Sequence, residues 1–370
     1  MMDGGNVMKR NKLIKIRKAI EVFSGSGGLS TGIIQAGFEV VAAIEINKTA
    51  TESYILNHPN VKIINDDVCN VSGTKLIKNL GIRKGSLDLL AGCSPCQGFS
   101  RLKKDDGKPD PRNLLVLEFV RLVQEIMPRT IIMENVPGLL NSEEGQAIFH
   151  QTKQKLESLG YHIDYKVINA VDYGVPQYRR RTVILGSKLK KINVKLPEYT
   201  HRNPKNNSSN LPVWKTVVDA IGDVPSVDNG QSHPDIPYHV ATKNDNLNLE
   251  RIRYIPPNGG SRTSLPDRLV LNCHKKYPNG FKDVYGRMTW EKPSPTLTGG
   301  CTNITKGRFI HPEQNRAITL HEAKLLQSFP NDYKFAGNRT EIAQQIGNAV
   351  PVRLGYIMAN KLKIELDKKY

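Results

Sequence analysis

Two cysteines three positions apart stand in the run Gly92-Cys93-Ser94-Pro95-Cys96-Gln97-Gly98-Phe99-Ser100. That spacing admits two chemistries. A dithiol redox pair would place the reactive sulfur first, at Cys93, on the N-terminus of a helix. A Pro-Cys-Gln turn flanked by glycine instead presents the second sulfur, with proline stiffening its approach. A free thiol near its ordinary pKa of ~8.5 is only a few per cent ionised at neutral pH, yet it is a strong nucleophile. Cys96 is therefore a candidate covalent catalyst, with the redox pair as its rival. Glu134, in Glu134-Asn135-Val136-Pro137-Gly138, can act as an acid in a closed pocket or hold a heterocycle by hydrogen bonds. A salt-bridged glutamate is the plainer alternative. In Gly174-Val175-Pro176-Gln177-Tyr178-Arg179-Arg180-Arg181, an extended backbone puts Arg179 and Arg181 on one face and Arg180 on the other. Paired guanidinium groups suit a carbonyl oxygen, a phosphate or neighbouring carboxylates; otherwise they form a solvated basic face.

A second constellation is rich in glycine. Phe23-Ser24-Gly25-Ser26-Gly27-Gly28-Leu29-Ser30-Thr31-Gly32 is followed by Glu45, 20 residues after Gly25. Glycines let backbone turn closely against a nucleotide, and a carboxylate at that separation can accept both ribose hydroxyls. Ser30 occupies the place of the third glycine in a dinucleotide fingerprint. That departure argues against a pyrophosphate and leaves room for a nucleoside without phosphates, such as S-adenosylmethionine. Asp67, in Asn65-Asp66-Asp67-Val68, can accept a hydrogen bond from an adenine amino group.

These residues need a scaffold that delivers them to one edge. Short apolar runs at Ala19 to Phe23, Val40 to Ile44, Val61 to Ile64, Leu87 to Ala91, Thr130 to Met133 and Thr182 to Leu185 read as buried strands. Leu114 to Met127 carries apolar residues around most of a helix and stops at Pro128. The βαβα rhythm predicts an α/β fold with a doubly wound, mostly parallel sheet, whose ligands bind at the carboxyl ends of the strands. From about Lys190 to Arg287 periodicity fades, Pro, Asn, Ser and Gly cluster, and 15 Lys and Arg stand against 9 Asp and Glu. Helical texture resumes at Thr319 to Gln327 and at Glu341 to Lys361, the latter broken by Gly347-Asn348-Ala349-Val350-Pro351.

Over the 370 residues, 53 Lys and Arg against 35 Asp and Glu give a net charge of +18, which favours a polyanionic partner. No apolar run is long enough to cross a membrane, and the basic N-terminus lacks the apolar core and cleavage site of a secretory signal. A soluble, cytoplasmic protein is expected. Five cysteines are too few, and odd in number, for a disulfide framework. Histidines and cysteines show no metal-ligand spacing, so no metal is expected.

Taken in order, the motifs closely resemble those of the DNA cytosine-5 methyltransferases over about residues 19 to 360. Pro295-Thr296-Leu297, Leu326-Gln327-Ser328-Phe329-Pro330 and Gln345-Ile346-Gly347-Asn348-Ala349-Val350-Pro351 supply the downstream matches. The resemblance implies a Rossmann-like S-adenosylmethionine-dependent methyltransferase sheet (residues 1–189), a smaller loop-rich target-recognition domain (190–338) and a C-terminal segment returning to the catalytic domain (339–370). By resemblance, Cys96 attacks C6 of a flipped cytosine, Glu134 engages N3 and the exocyclic amine, Arg181 holds O2, and Arg179 supports the pocket. Phe23, Ser26, Gly27, Gly28, Glu45, Ile46, Asp67, Val68, Pro95, Leu115, Asn348 and Val350 would contact S-adenosylmethionine, leaving S-adenosylhomocysteine as product. Gln97, Ser100 and Gln177 would contact the substrate, and residues 101–112 would close over the base. Double-stranded DNA is the implied partner, a restriction endonuclease the implied functional counterpart, not bound, and a monomer the implied state. A tRNA-directed enzyme of the same superfamily remains an alternative, although about 160 residues separate the arginine and C-terminal motifs, which favours DNA. A non-catalytic DNA-binding regulator is the other; it would be expected to lose the nucleophile or the acid.

Overall fold

The computed structural model describes residues 16–95, 111–277, 280 and 282–369. Strands β1 (Arg17–Val22), β2 (Phe38–Ile44), β3 (Lys62–Ile64), β4 (Leu89–Cys93), β5 (Thr130–Asn135), β6 (His162–Asn169) and β7 (Arg180–Ser187) form one sheet. Its order is β3-β2-β1-β4-β5-β7-β6. The first five strands run parallel, and β7 lies antiparallel to both β5 and β6. Each apolar run read as a strand becomes one. The addition is β6, an edge strand whose Tyr165 and Lys166 face solvent.

The helices are α1 (Gly28–Gln35), α2 (Lys48–Asn57), α3 (Gly73–Asn79), α4 (Leu115–Ile126), α5 (Gly138–Asn141), α6 (Glu143–Ser158), α7 (Val217–Ile221), α8 (Asn246–Tyr254), α9 (Asn272–Lys276), α10 (Leu320–Leu326), α11 (Arg339–Asn348) and α12 (Val352–Lys369). Side chains alternate across the strands, so each face of the sheet builds its own core. On one face Ile20, Val22, Leu90, Ile131 and Ile184 pack against α3, α4 and α6. Val116, Phe119, Val120, Val123 and Ile126 of α4 recur at helical spacing and are all buried there. On the other face Leu89, Ala91, Ile132, Val183 and Leu185 meet α1 and α12. A Cβ on Gly32 would lie 2.5 Å from the backbone of both Val352 and Tyr356, so only glycine permits α1 and α12 to cross this closely.

Arg17 closes that layer. It is 1% exposed, its Nη1 pairs with Asp88 at 3.2 Å and its Nε with Asp367 at 3.0 Å, and Nη2 donates to the Leu366 carbonyl at 2.8 Å. The end of α12 is thereby fastened to the start of the first strand.

After β7 the chain forms short helices and loops over two further apolar clusters. One gathers Val217, Leu297, Ile318, Leu326, Phe329 and Ile346, and the other Ile252, Ile255, Tyr285, Ile304 and Ile310. With few ladders available, backbone carbonyls here are satisfied by buried side chains. Arg287, 2% exposed, donates to the carbonyls of Ile252, Ile255, His311, Glu313 and Gln314. Arg316 makes a two-pronged ion pair with Glu322, at 2.8 and 2.7 Å, and Glu322 also caps α10. Among the described residues no helix is long and apolar enough to cross a membrane.

Candidate active site

Strand register decides which side chains meet at the carboxyl edge of the sheet. Cys93 ends β4 opposite Glu134 of β5, and Glu134 lies opposite Val183 of β7. Arg181, two residues before Val183, therefore emerges on the same face as Glu134 and Cys93. The three side chains converge. The Cys93 thiol donates to Glu134 Oε2 at 2.6 Å, and Arg181 Nε lies 2.9 Å from Oε1. Glu134 is 5% exposed, yet among the described residues Oε1 receives no aligned hydrogen bond; its contact with Arg181 is an ion pair alone. A buried carboxylate oxygen with an unfilled acceptor position suits a donor arriving with a substrate.

On the opposite face Asn135 steers the chain beyond β4. Its Nδ2 donates to Ser94 Oγ at 3.0 Å and to the Ser94 carbonyl at 3.4 Å, fixing the residue before Pro95. The reading of the sequence gave Asn135 no role and considered Cys93 only as half of a redox pair; the alternation of β4 was the available signal for Cys93. Cys96, Gln97, Ser100 and residues 101–110 lie outside the described residues.

The glycine-rich turn links β1 to α1 by way of three left-handed positions: Phe23 with φ 57°, Gly25 with φ 52° and Gly27 with φ 94°. Gly27 caps α1 and no side chain bonds the first amides of the helix, which leaves an electropositive N-terminus facing the edge. A Cβ on Gly27 would fall 2.8 Å from His58 Nε2 and from the Tyr333 hydroxyl. Those two groups buttress the turn from below. The Tyr333 hydroxyl donates to the Ser26 carbonyl, and Thr31 Oγ1 joins His58 Nε2 at 3.2 Å and donates to the Gly27 carbonyl at 2.8 Å. Burial pushes the His58 pKa down to about 4, so the ring is neutral. Ser26 Oγ is buried without a partner among the described residues. Ser30 is fully buried and donates to Glu21, while its oxygen lies 2.7 Å from the Tyr54 hydroxyl.

Glu45 ends β2 beside this turn. Its Oε2 accepts from Gly25 N at 2.7 Å and its Oε1 from Asn47 N at 2.8 Å. Desolvation raises its pKa above the usual value, opposed by those amide bonds. Ile46 follows, 65% exposed, and Asn65 ties the carbonyls of Glu45 and Ile46 to the end of β3. Asp67 caps a short turn by accepting from Cys69 N at 2.9 Å. Val68 is in the core, with Phe23 and Leu115 half-buried against it. A Cβ on Gly28 would sit 2.7 Å from the Val350 carbonyl, and Asn348 is exposed at the end of α11. The structure thus brings the glycine turn, Glu45 and Val350 to one place, with Asp67 at the next strand end.

Arg179 and Gln177 lie deeper. Arg179 is 2% exposed and donates to the carbonyls of Leu297, Gly347 and Ala349 at 3.2, 3.0 and 2.9 Å. Gln177 is 0% exposed: its Nε2 donates to the Leu326 carbonyl and Gln327 Oε1, and its Oε1 accepts from Leu297 N. Both residues staple the sheet to the segments that follow it, whereas Arg181 alone of the three arginines reaches Glu134.

Residues 17–364 match the family described as C-5 cytosine-specific DNA methylase. The Type II methylase M.HgiDII of Herpetosiphon aurantiacus is 38% identical over 353 residues, covering 94% of this chain and 95% of that protein. The Type II methyltransferase M1.HphI of Haemophilus parahaemolyticus is 36% identical over 342 residues, covering 92% and 85%. Among solved structures, a prophage-encoded E. coli protein described as a DNA modification methyltransferase superposes with a TM-score of 0.72 at 25% identity, covering 95% of this chain and 99% of that one. A DNMT2 of Spodoptera frugiperda shares the fold, with a TM-score of 0.64 at 20% identity over 94% and 99% of the two chains. A dithiol oxidoreductase, a tRNA-directed enzyme and a non-catalytic regulator give way to one assignment: the chain belongs to the C-5 cytosine-specific DNA methylases and is a DNA (cytosine-5)-methyltransferase.

Proposed function

We propose that the enzyme methylates C5 of a cytosine flipped out of a specific double-stranded DNA site, through a transient bond between Cys96 and C6. The observation that carries this reading is Glu134. It is a buried carboxylate held by Cys93 and Arg181 with one acceptor position open, on the strand next to the one that leads to Cys96. C5 of cytosine is a poor nucleophile while the ring is aromatic. Addition of the Cys96 sulfur to C6 sends the electrons of the 5,6 bond toward N3, which takes up a proton by way of Glu134, and C5 becomes enamine-like. Once C5 carries the new methyl group, loss of its proton returns electrons to the ring and expels the sulfur. Arg181 holds O2, and Arg179 and Gln177 support the pocket from behind. Inside a duplex both carbons are covered by stacking, so the base must leave the helix, at a cost of a few kcal/mol.

The glycine turn fits S-adenosylmethionine, which supplies the methyl group when bound. Uncapped amides at the start of α1 and the orphaned Ser26 Oγ suit an amino-acid carboxylate. Glu45 suits a ribose, and Ile46, Asp67 and Val68 an adenine; Phe23, Gly27, Gly28, Pro95, Leu115, Asn348 and Val350 complete the contacts. Residues 190–338 act as the target-recognition domain, between catalytic residues 1–189 and the returning segment 339–370. Their basic side chains grip phosphates and read base edges, with Gln97 and Ser100 contacting DNA near the nucleophile. The names of the relatives support a role as the modification partner of a restriction endonuclease; the enzyme acts as a monomer and does not bind that partner. Incubation with S-adenosylmethionine and duplexes carrying 5-fluorocytosine at the target should trap a covalent complex, mapped to Cys96 by mass spectrometry. Cys96→Ser should form none and transfer no methyl groups while still binding cofactor. An active Cys96→Ser enzyme refutes the reading.

A further inference from the structure

We propose that Cys93 is a positioning residue for Glu134, its thiol fixing the plane of the carboxylate so that Oε1 faces the base. This rests on the role of Glu134 proposed above. Cys93 and Glu134 are partners across the parallel β4–β5 ladder, and the alternation that sends Leu89 and Ala91 to one face sends Cys93 there too. The sulfur lies 2.6 Å from Oε2. A thiol is a weak donor toward neutral groups, but the acceptor here is a carboxylate 5% exposed, and an ionised acceptor strengthens such a bond.

The terminal torsion of glutamate is broad and roughly two-fold, so packing alone does not choose between its two planes. Two contacts choose here, Cys93 on Oε2 and Arg181 on Oε1. Arg181 must also serve the base oxygen, so its guanidinium is shared between Glu134 and the substrate, whereas Cys93 bonds Oε2, the oxygen turned from the base. Because the β4 backbone holds Cys93, it needs no rearrangement to do so. This cysteine thereby acquires a role distinct from both the nucleophile and the redox pair that its spacing suggested.

The test compares Cys93→Ser, which keeps a donor, with Cys93→Ala and Cys93→Val, which remove it, in the full chain with S-adenosylmethionine and target duplex. Without the donor, kcat should fall about tenfold or more while KM for DNA and for cofactor stays within about twofold. Serine should restore kcat to within about threefold of wild type. The rate of covalent trapping by 5-fluorocytosine DNA, taken per cofactor-binding molecule so that misfolded protein is not counted, should follow kcat. Wild-type kcat and trapping rates in Cys93→Ala overturn the proposal, as does a Cys93→Ser enzyme as slow as Cys93→Ala. Absence of any adduct with the wild-type enzyme would instead remove the covalent reading itself, and this inference with it.

Discussion

Replacing Arg179 with methionine separates a structural staple from a group that acts on the substrate. The guanidinium gives hydrogen bonds to three carbonyls, at 3.2, 3.0 and 2.9 Å, in a site 2% exposed. Bonds from a charged donor are worth about 1.5–3 kcal/mol each, so the gross loss is about 4.5–9 kcal/mol. Relief from burying a charge returns several kcal/mol, which leaves a net destabilisation of about 3–5 kcal/mol. Arg179→Lys keeps the charge but not the planar fork and should cost about half as much. Guanidinium chloride unfolding followed by tryptophan fluorescence measures this directly, because Trp214 packs edge-on against Tyr178 at 5.6 Å, next in the chain to Arg179. Should Arg179→Met unfold at the wild-type midpoint while methyl transfer disappears, the guanidinium works on the base, and the reading of it as a staple is wrong.

Two other perturbations probe the cofactor side. Burial pushes the Glu21 pKa from 4.5 up to about 8, so between those values the folded protein retains a proton that the unfolded chain releases, and stability declines as pH rises through that window. Glu21→Gln should lose less melting temperature than wild type between about pH 5 and pH 9, and equal losses would contradict the assignment. Gly27→Ala forces a Cβ to 2.8 Å from His58 and Tyr333 at φ 94°. The left-handed backbone alone costs about 1–2 kcal/mol, so calorimetry should show cofactor binding weakened by about tenfold or more, with DNA affinity nearly unchanged. Unaltered cofactor affinity would mean that this turn is not the cofactor cradle.

The sheet was legible because six of its strands are apolar runs, and β1, β4 and β5, in the parallel interior, are buried on both faces. β6 escaped notice because it lies at the edge beside β7 and carries Asp164, Tyr165 and Lys166 in its middle. Arg17 and Lys18 read as part of a basic tail, yet Arg17 is a buried member of β1 with two carboxylate partners; sequence spacing cannot reveal partners 71 and 350 residues away. The candidate site was read from motif order, which put Glu134 at the end of one strand and Arg181 at the start of another; their adjacency comes from the β5–β7 pairing. The partition among Arg179, Gln177 and Arg181 was not legible. Parity puts Arg179 and Arg181 on one face, but only packing reveals that one is spent on carbonyls and the other reaches a carboxylate. The short helices α7 and α9 escaped because each spans a single turn and a half, too little for a period to register.

Because the far end of α12 is pinned to β1 across 350 residues of chain, the apolar flank of α1 stays bare on the ribosome until α12 has emerged. Closure of so long a loop comes late and slowly. Helix α12 is therefore a latch: the nascent enzyme can assemble its sheet early, but the layer behind the glycine turn is sealed only when α12 arrives.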